Sequence, residues 1–204
     1  CADIVVLAIK PQIYPEVAEE IRESLRQETV IISPAPGITI DALVGMLGGH
    51  KKIVRIMPNL AAKVGESMTG VTYGRALSVE DREAVESLLK SFGGTAEVPE
   101  KLMDAVVCVS GSSPAYVYIF IEALADSAVK YGIPRKMAVK MAAQTVLGSA
   151  KMVLETGEDP AVLKNAVCSP AGTTIQGVAA LEECGFRNAV IKATDACYRK
   201  CTKI

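Results

Sequence analysis

Ile4-Val5-Val6-Leu7-Ala8-Ile9, followed at once by Lys10-Pro11, is an unbroken β-prone apolar run that ends at a proline. A run of this kind, with no polar alternation, predicts a strand buried on both faces. Downstream, residues 14–26 carry Val17, Ile21 and Leu25 at helical spacing. Thr29–Ser33 reads as a second strand stopped by Pro34-Ala35-Pro36-Gly37, and residues 39–47 as a short helix ending at Gly48-Gly49. Ile53–Met57 is a third strand ending at Pro58-Asn59, and Met68–Tyr73 a fourth. Ser78, with Glu80 and Asp81 behind it, suits the N-terminus of an amphipathic helix that runs to Gly93-Gly94. Thr95–Val98 is a last, edge-like strand. Strands alternating with helices in this way predict a doubly wound α/β sheet.

Beyond Pro99 the strand pattern disappears. Pro114, Pro134 and Pro160 each stand at or near the first position of a helix, where the missing N–H costs nothing. The helix from Pro114 is apolar almost all round and is expected to be buried on every side; the next, about 134–155, is rich in Ala and Met. This much apolar helical surface points to an obligate oligomer, with a self-contained bundle as the alternative. The expected organisation is α/β followed by all-α: residues 1–98 a partial doubly wound sheet domain, and residues 99–204 an all-helical domain.

Composition narrows the function. Lys plus Arg is 22 against 23 for Asp plus Glu, so nothing invites a nucleic-acid partner. The most apolar stretch, residues 115–125, is short for a membrane span and contains Glu122. A cytoplasmic location is expected. Of the six cysteines, Cys1, Cys108, Cys168, Cys184, Cys197 and Cys201, none forms a CxxC pair. Cys197 and Cys201 stand one helical turn apart and could share a metal only with ligands brought from elsewhere; the expected assignment is small, partly buried residues and no metal. His50 lies in a Gly-Gly-His-Lys-Lys turn and reads as a solvated loop residue.

The segment Val167-Cys-Ser-Pro-Ala-Gly-Thr-Thr-Ile-Gln-Gly177 carries the most chemistry. Ser169-Pro170-Ala171-Gly172 is a turn feeding a helix that starts at Thr173 or Thr174. Uncapped N–H groups, the helix dipole and three hydroxyls together suit a small carboxylate. The alternative is that one of the threonines simply caps a surface helix. A second small-residue turn, Val109–Tyr116, suits either a ligand or helix packing. Lys10-Pro11, the loop around Ala35, and Pro58-Asn59 all follow strands, where ligands of open α/β sheets bind. No G-x-G-x-x-G is present anywhere in the chain.

Taken in order, Ala2–Pro11, Ser33–Thr39, Val54–Asn59, Glu100–Val106, Ser110–Tyr116, Glu122–Asp126, Gln144–Gly148 and Ser169–Ile175 resemble pyrroline-5-carboxylate reductase along essentially the whole chain. The resemblance implies a Rossmann domain followed by a helical domain that interlocks with a second subunit, as a homodimer or a ring of dimers. It implies reduction of 1-pyrroline-5-carboxylate to L-proline with NADPH or NADH. It places the substrate at Ser169, Gly172, Thr173 and Thr174, with Thr174 hydrogen-bonding the ring nitrogen. It places the cofactor near Lys10, Pro11, Ala35 and Asn59. Ala171 and Ser113 stand where the family has glycines, and Leu60-Ala61 where it has Thr-Pro. The family opens with a glycine-rich strand–turn–helix unit ahead of the segment matched by Ala2–Pro11, so the chain is expected to be a fragment that binds cofactor weakly. Two other assignments compete. One is a non-catalytic helical oligomerisation module. The other is a hydroxyacid-type dehydrogenase, against which stands the position of Lys130, only near the C-terminus of the helix from Pro114.

Overall fold

The computed structural model describes residues 2–202. They form two compact units. One runs from the N-terminus to Pro114 and takes up the chain again from Thr194; the other is Ala115–Ala193.

The first unit holds a five-stranded sheet in the order β1 (Ile4–Val6), β2 (Val30–Ser33), β3 (Ile53–Met57), β4 (Ser67–Tyr73), β5 (Gly93–Glu97). Helices α1 (Tyr14–Ile21), α2 (Ile40–Met46) and α3 (Val79–Lys90) connect strands. Alternate residues of the strands feed two cores. Leu7, Ile31 and Ile53 meet Tyr14, Ala18 and Leu43 on one face. Val30, Ile32, Val54, Ile56 and Val71 meet Val85 and Leu89 of α3 on the other. Helices therefore cover both faces, as the apolar runs require.

Three expectations need correction. Among the described residues the first strand pairs over Ile4–Val6, has β2 as its one neighbour at the sheet edge, and leaves Val6 47% exposed. It is not buried on both faces. The sheet, as a doubly wound α/β pattern allows, is mixed: β1, β2 and β3 run parallel, β4 is antiparallel to β3, and β5 is parallel to β4. The cause is the short connection at residues 58–66, largely a 3₁₀ turn over Leu60–Val64. A parallel crossover needs a dozen residues or more. Gly93 opens β5 instead of stopping a helix, because its φ of 149° and its approach to Ser67 suit only glycine. Finally, the first helix is α-helical only to Ile21, and Arg22–Ser24 tightens into a 3₁₀ turn.

Next come a short helix α4 (Met103–Val106) and a π-helical turn over Val107–Gly111. Helix α5 (Ser113–Lys130) begins at the boundary of the second unit. That unit continues with α6 (Arg135–Thr156), α7 (Pro160–Val167), α8 (Thr173–Glu183) and the first part of α9 (Phe186–Cys201). Its fully buried centre is small: Ala125, Ala138 and Ala142, flanked by Ile121, Ala128, Val129 and Ile133. Gly132, at φ 95°, turns α5 into α6, Arg135 pairs with Asp126 across the turn, and the Phe120 and Phe186 rings pack at 5.8 Å. Within one chain α5 is not buried all round, since Ile119 is 66% exposed and Tyr118 54%. The helical run Glu100–Lys130 also contains an 18-residue window of mean hydropathy 1.3, long and apolar enough to cross a membrane. The shorter run of residues 115–125 understates it. A helix covered by another protein surface meets the same criterion.

Candidate active site

Three parallel strands bring their carboxyl ends to one edge of the sheet, and with them all four residues expected near a cofactor. Lys10 follows β1 and is exposed; Pro11 starts a 3₁₀ turn over Pro11–Ile13 that leads into α1. Ala35 follows β2 and is buried, its N–H 3.4 Å from the Ser33 hydroxyl. Asn59 follows β3 and caps the Leu60–Val64 turn, its Oδ1 accepting from the Ala61 N–H at 3.1 Å. The Asn59 Nδ2 donates to the Ser110 carbonyl at 3.1 Å. Both ends of its amide are thus engaged in fixing the rim. An exposed lysine at the ends of parallel strands suits a phosphate-bearing cofactor.

The residues holding this rim are less visible in the sequence. The Tyr14 hydroxyl donates to the Leu7 carbonyl at 2.7 Å and lies 2.9 Å from the Ser33 hydroxyl, tying the ends of β1 and β2 together. Burial pushes the Tyr14 phenol upward, so it stays a donor. Arg55 is 3% exposed in the middle of β3 and reaches Glu100 at 3.3 Å. Glu100 also accepts from the Ile40 N–H at 2.7 Å, at the N-terminus of α2. Among the described residues Arg55 Nε has no partner. A charged residue inside an apolar strand, Ile53-Val54-Arg55-Ile56-Met57, is the signal that could have found this pair.

The segment Val109–Tyr116 does feed a helix: it leaves a π-helical turn at Gly111, bends at Ser112 and enters α5 at Ser113. Its π-turn widens the hydrogen-bond ring, which frees carbonyls such as Ser110 O for Asn59. His50 is likewise more than a loop residue: it is half-buried, with Nε2 2.7 Å from the Thr29 carbonyl. The cysteine pair on α9 has company as well, because the Cys108 sulfur lies within 4.8 Å of those of Cys197 and Cys201. Cys1 lies outside the described residues.

Ser169, Gly172, Thr173 and Thr174 come together in the second unit, in the turn that enters α8. The helix begins at Thr173, but its N-cap is Gly172, and no side chain caps it. Neither threonine fills the capping role open to it by composition. The Gly172 N–H donates to the Ser169 carbonyl at 3.0 Å, closing the turn, and Ala171 takes a φ of 56°. Thr174 is half-buried, while Ser169 and Thr173 are exposed. A helix of this length, uncapped by side chains and flanked by hydroxyls, presents N–H groups and a positive dipole end to an anion.

Comparison with known proteins gives this arrangement its context. Residues 100–204 match the family described as pyrroline-5-carboxylate reductase dimerisation, and residues 1–37 that described as NADP oxidoreductase coenzyme F420-dependent. A pyrroline-5-carboxylate reductase of Escherichia coli K12 is 50% identical over 203 residues, covering 100% of this chain and 76% of that protein. One from Methanosarcina acetivorans is 46% identical over 198 residues, covering 95% and 73%. Among solved structures, the Plasmodium falciparum pyrroline carboxylate reductase with NADP bound matches at a TM-score of 0.88 and 36% identity, over 98% of this chain and 76% of that one.

Proposed function

We propose, since this chain belongs to the pyrroline-5-carboxylate reductase family, that it reduces 1-pyrroline-5-carboxylate to L-proline with NADPH or NADH. The observation that carries this is the 50% identity to a reductase of that name along the whole chain. The solved relative with NADP bound supports the cofactor. When bound, that cofactor supplies the hydride.

The chain's own residues do the rest. The turn entering α8 receives the substrate carboxylate on its N–H groups, helped by the hydroxyls of Ser169 and Thr173. Gly172 keeps that approach open. The Thr174 hydroxyl hydrogen-bonds the ring nitrogen, which gains a proton as the imine carbon gains hydride. Fixing the ring in this way orients the imine and stabilises the charge that develops on nitrogen. Lys10, Pro11, Ala35 and Asn59 form the rim that the cofactor approaches. In this proposal residues 1–98 bind NAD(P)H, and residues 99–204 bind substrate and join a second copy into a homodimer.

The test is a proline-forming assay followed by loss of cofactor absorbance. Thr174→Ala is expected to lower kcat/KM by about 1–3 kcal/mol, the scale of a hydrogen bond to a charged group. A wild-type protein that produces no proline, or a variant with unchanged turnover, would remove the reading.

A further inference from the structure

The end of α9 returns to the sheet-bearing unit, where Cys197 and Cys201, one turn apart, meet Cys108 of the π-turn. The three sulfurs lie within 4.8 Å of one another. Cys108 is buried, and the other two are half-buried. The Ser112 hydroxyl is 3.2 Å from the Cys197 sulfur, and the Cys108 thiol lies 3.1 Å from the Asp104 carbonyl, to which it donates.

We propose that Cys108, Cys197 and Cys201 form a thiolate site for a d¹⁰ divalent cation of the zinc class, one per chain, with water at the fourth position beside the Ser112 hydroxyl.

Geometry is the first support. Zinc–sulfur bonds of about 2.3 Å in a tetrahedron put the sulfurs roughly 3.8 Å apart. The cluster therefore needs only small side-chain rotations to close on an ion. The donor set is the second. Three sulfurs with no carboxylate among them favour a soft or borderline ion over calcium or magnesium. The third is topology, since the ligands come from two segments some ninety residues apart in the chain. Binding would pin the last turns of α9 to the π-turn.

Charge and protons balance as follows. One M²⁺ displaces three thiol protons to solvent and leaves an M(SR)₃ group of net charge −1. The proton that Cys108 donates to the Asp104 carbonyl is among the three. Burial and the neighbouring thiols push Cys108 up to about 12, and burial raises Cys201 too. Because binding releases these protons, affinity rises with pH.

The full chain, purified anaerobically with reductant and stripped with chelator, is titrated with Co²⁺. Expected are thiolate-to-cobalt charge transfer and the intense d–d bands of a tetrahedral centre, saturating at one equivalent and erased by Zn²⁺. Cys108→Ala and Cys201→Ser should each weaken binding at least about tenfold. Cys184→Ser, at an exposed cysteine outside the cluster, should leave it unchanged. Circular dichroism checks that each variant is folded. The proposal is overturned by a cobalt spectrum that stays octahedral. It is equally overturned by a tetrahedral spectrum that survives removal of all three cysteines.

Discussion

A Cβ built on Gly172 would lie 2.2 Å from the Ser169 hydroxyl oxygen and 3.1 Å from the Ser169 carbonyl. Gly172→Ala is therefore expected to displace the Ser169 hydroxyl. Because that group is the tip of a small side chain, the urea midpoint should move little while KM for the substrate rises; an unchanged KM would separate Ser169 from substrate binding. Ala171 has a different problem. Its φ of 56° costs an L-residue about 1–2 kcal/mol, and glycine returns part of that gain as chain entropy. Ala171→Gly should stabilise the protein by roughly 0.5 kcal/mol, read from the urea midpoint. The turn itself was legible in Ser169-Pro170-Ala171-Gly172. Its cap was not: composition favours either threonine, and the left-handed residue before Gly172 decides which atoms reach the first N–H groups.

At the level of elements, strand–helix alternation was readable because runs such as Ile31-Ile32 feed both faces of the sheet. The direction of β4 was not, since it depends on connection length rather than on β4 itself. The α3–β5 packing can be tested by pH. Hydrogen bonds from Thr95 and Tyr73 lower the Glu86 carboxyl below its ordinary 4.5, with the Thr95 bond at 2.6 Å the larger influence. A depressed folded value means that the stabilisation is present above the ordinary value and is lost as pH falls through the folded one. Glu86→Gln should thus lower the urea midpoint at pH 7, with the gap to wild type closing as pH falls below the ordinary 4.5 and through the lower folded value. A pH-independent gap would assign the effect to packing alone. The Arg55–Glu100 pair was missed because its partners are 45 residues apart and the link is tertiary. Removing Glu100 leaves a buried guanidinium without its carboxylate, so Glu100→Ala should cost roughly 3 kcal/mol in a denaturant titration.

For the whole molecule, the apolar helices and the alanine core pose one problem. Ala125, Ala138 and Ala142 let α5 and α6 approach closely, but alanines bury little area, and Ile119, Met137 and Met141 remain outside the chain's own core. The sequence showed that α5 needs cover and pointed to an oligomer, but a self-contained bundle stayed open because a helix reads the same against either partner. The match of residues 100–204 to a dimerisation family supports a second copy as that cover. An obligate interface of about 2,000 Å² or more links folding to association. The chain should then sediment as a dimer at micromolar concentration, and its Tm should rise with protein concentration. Ile119→Asp combined with Met141→Asp places two charges on exposed apolar positions and spares the alanine core. That variant should shift the sedimentation boundary toward monomer and lower Tm, most strongly in dilute solution. A wild-type monomer whose Tm ignores concentration would mean that the exposed faces of α5 and α6 are not where two copies meet.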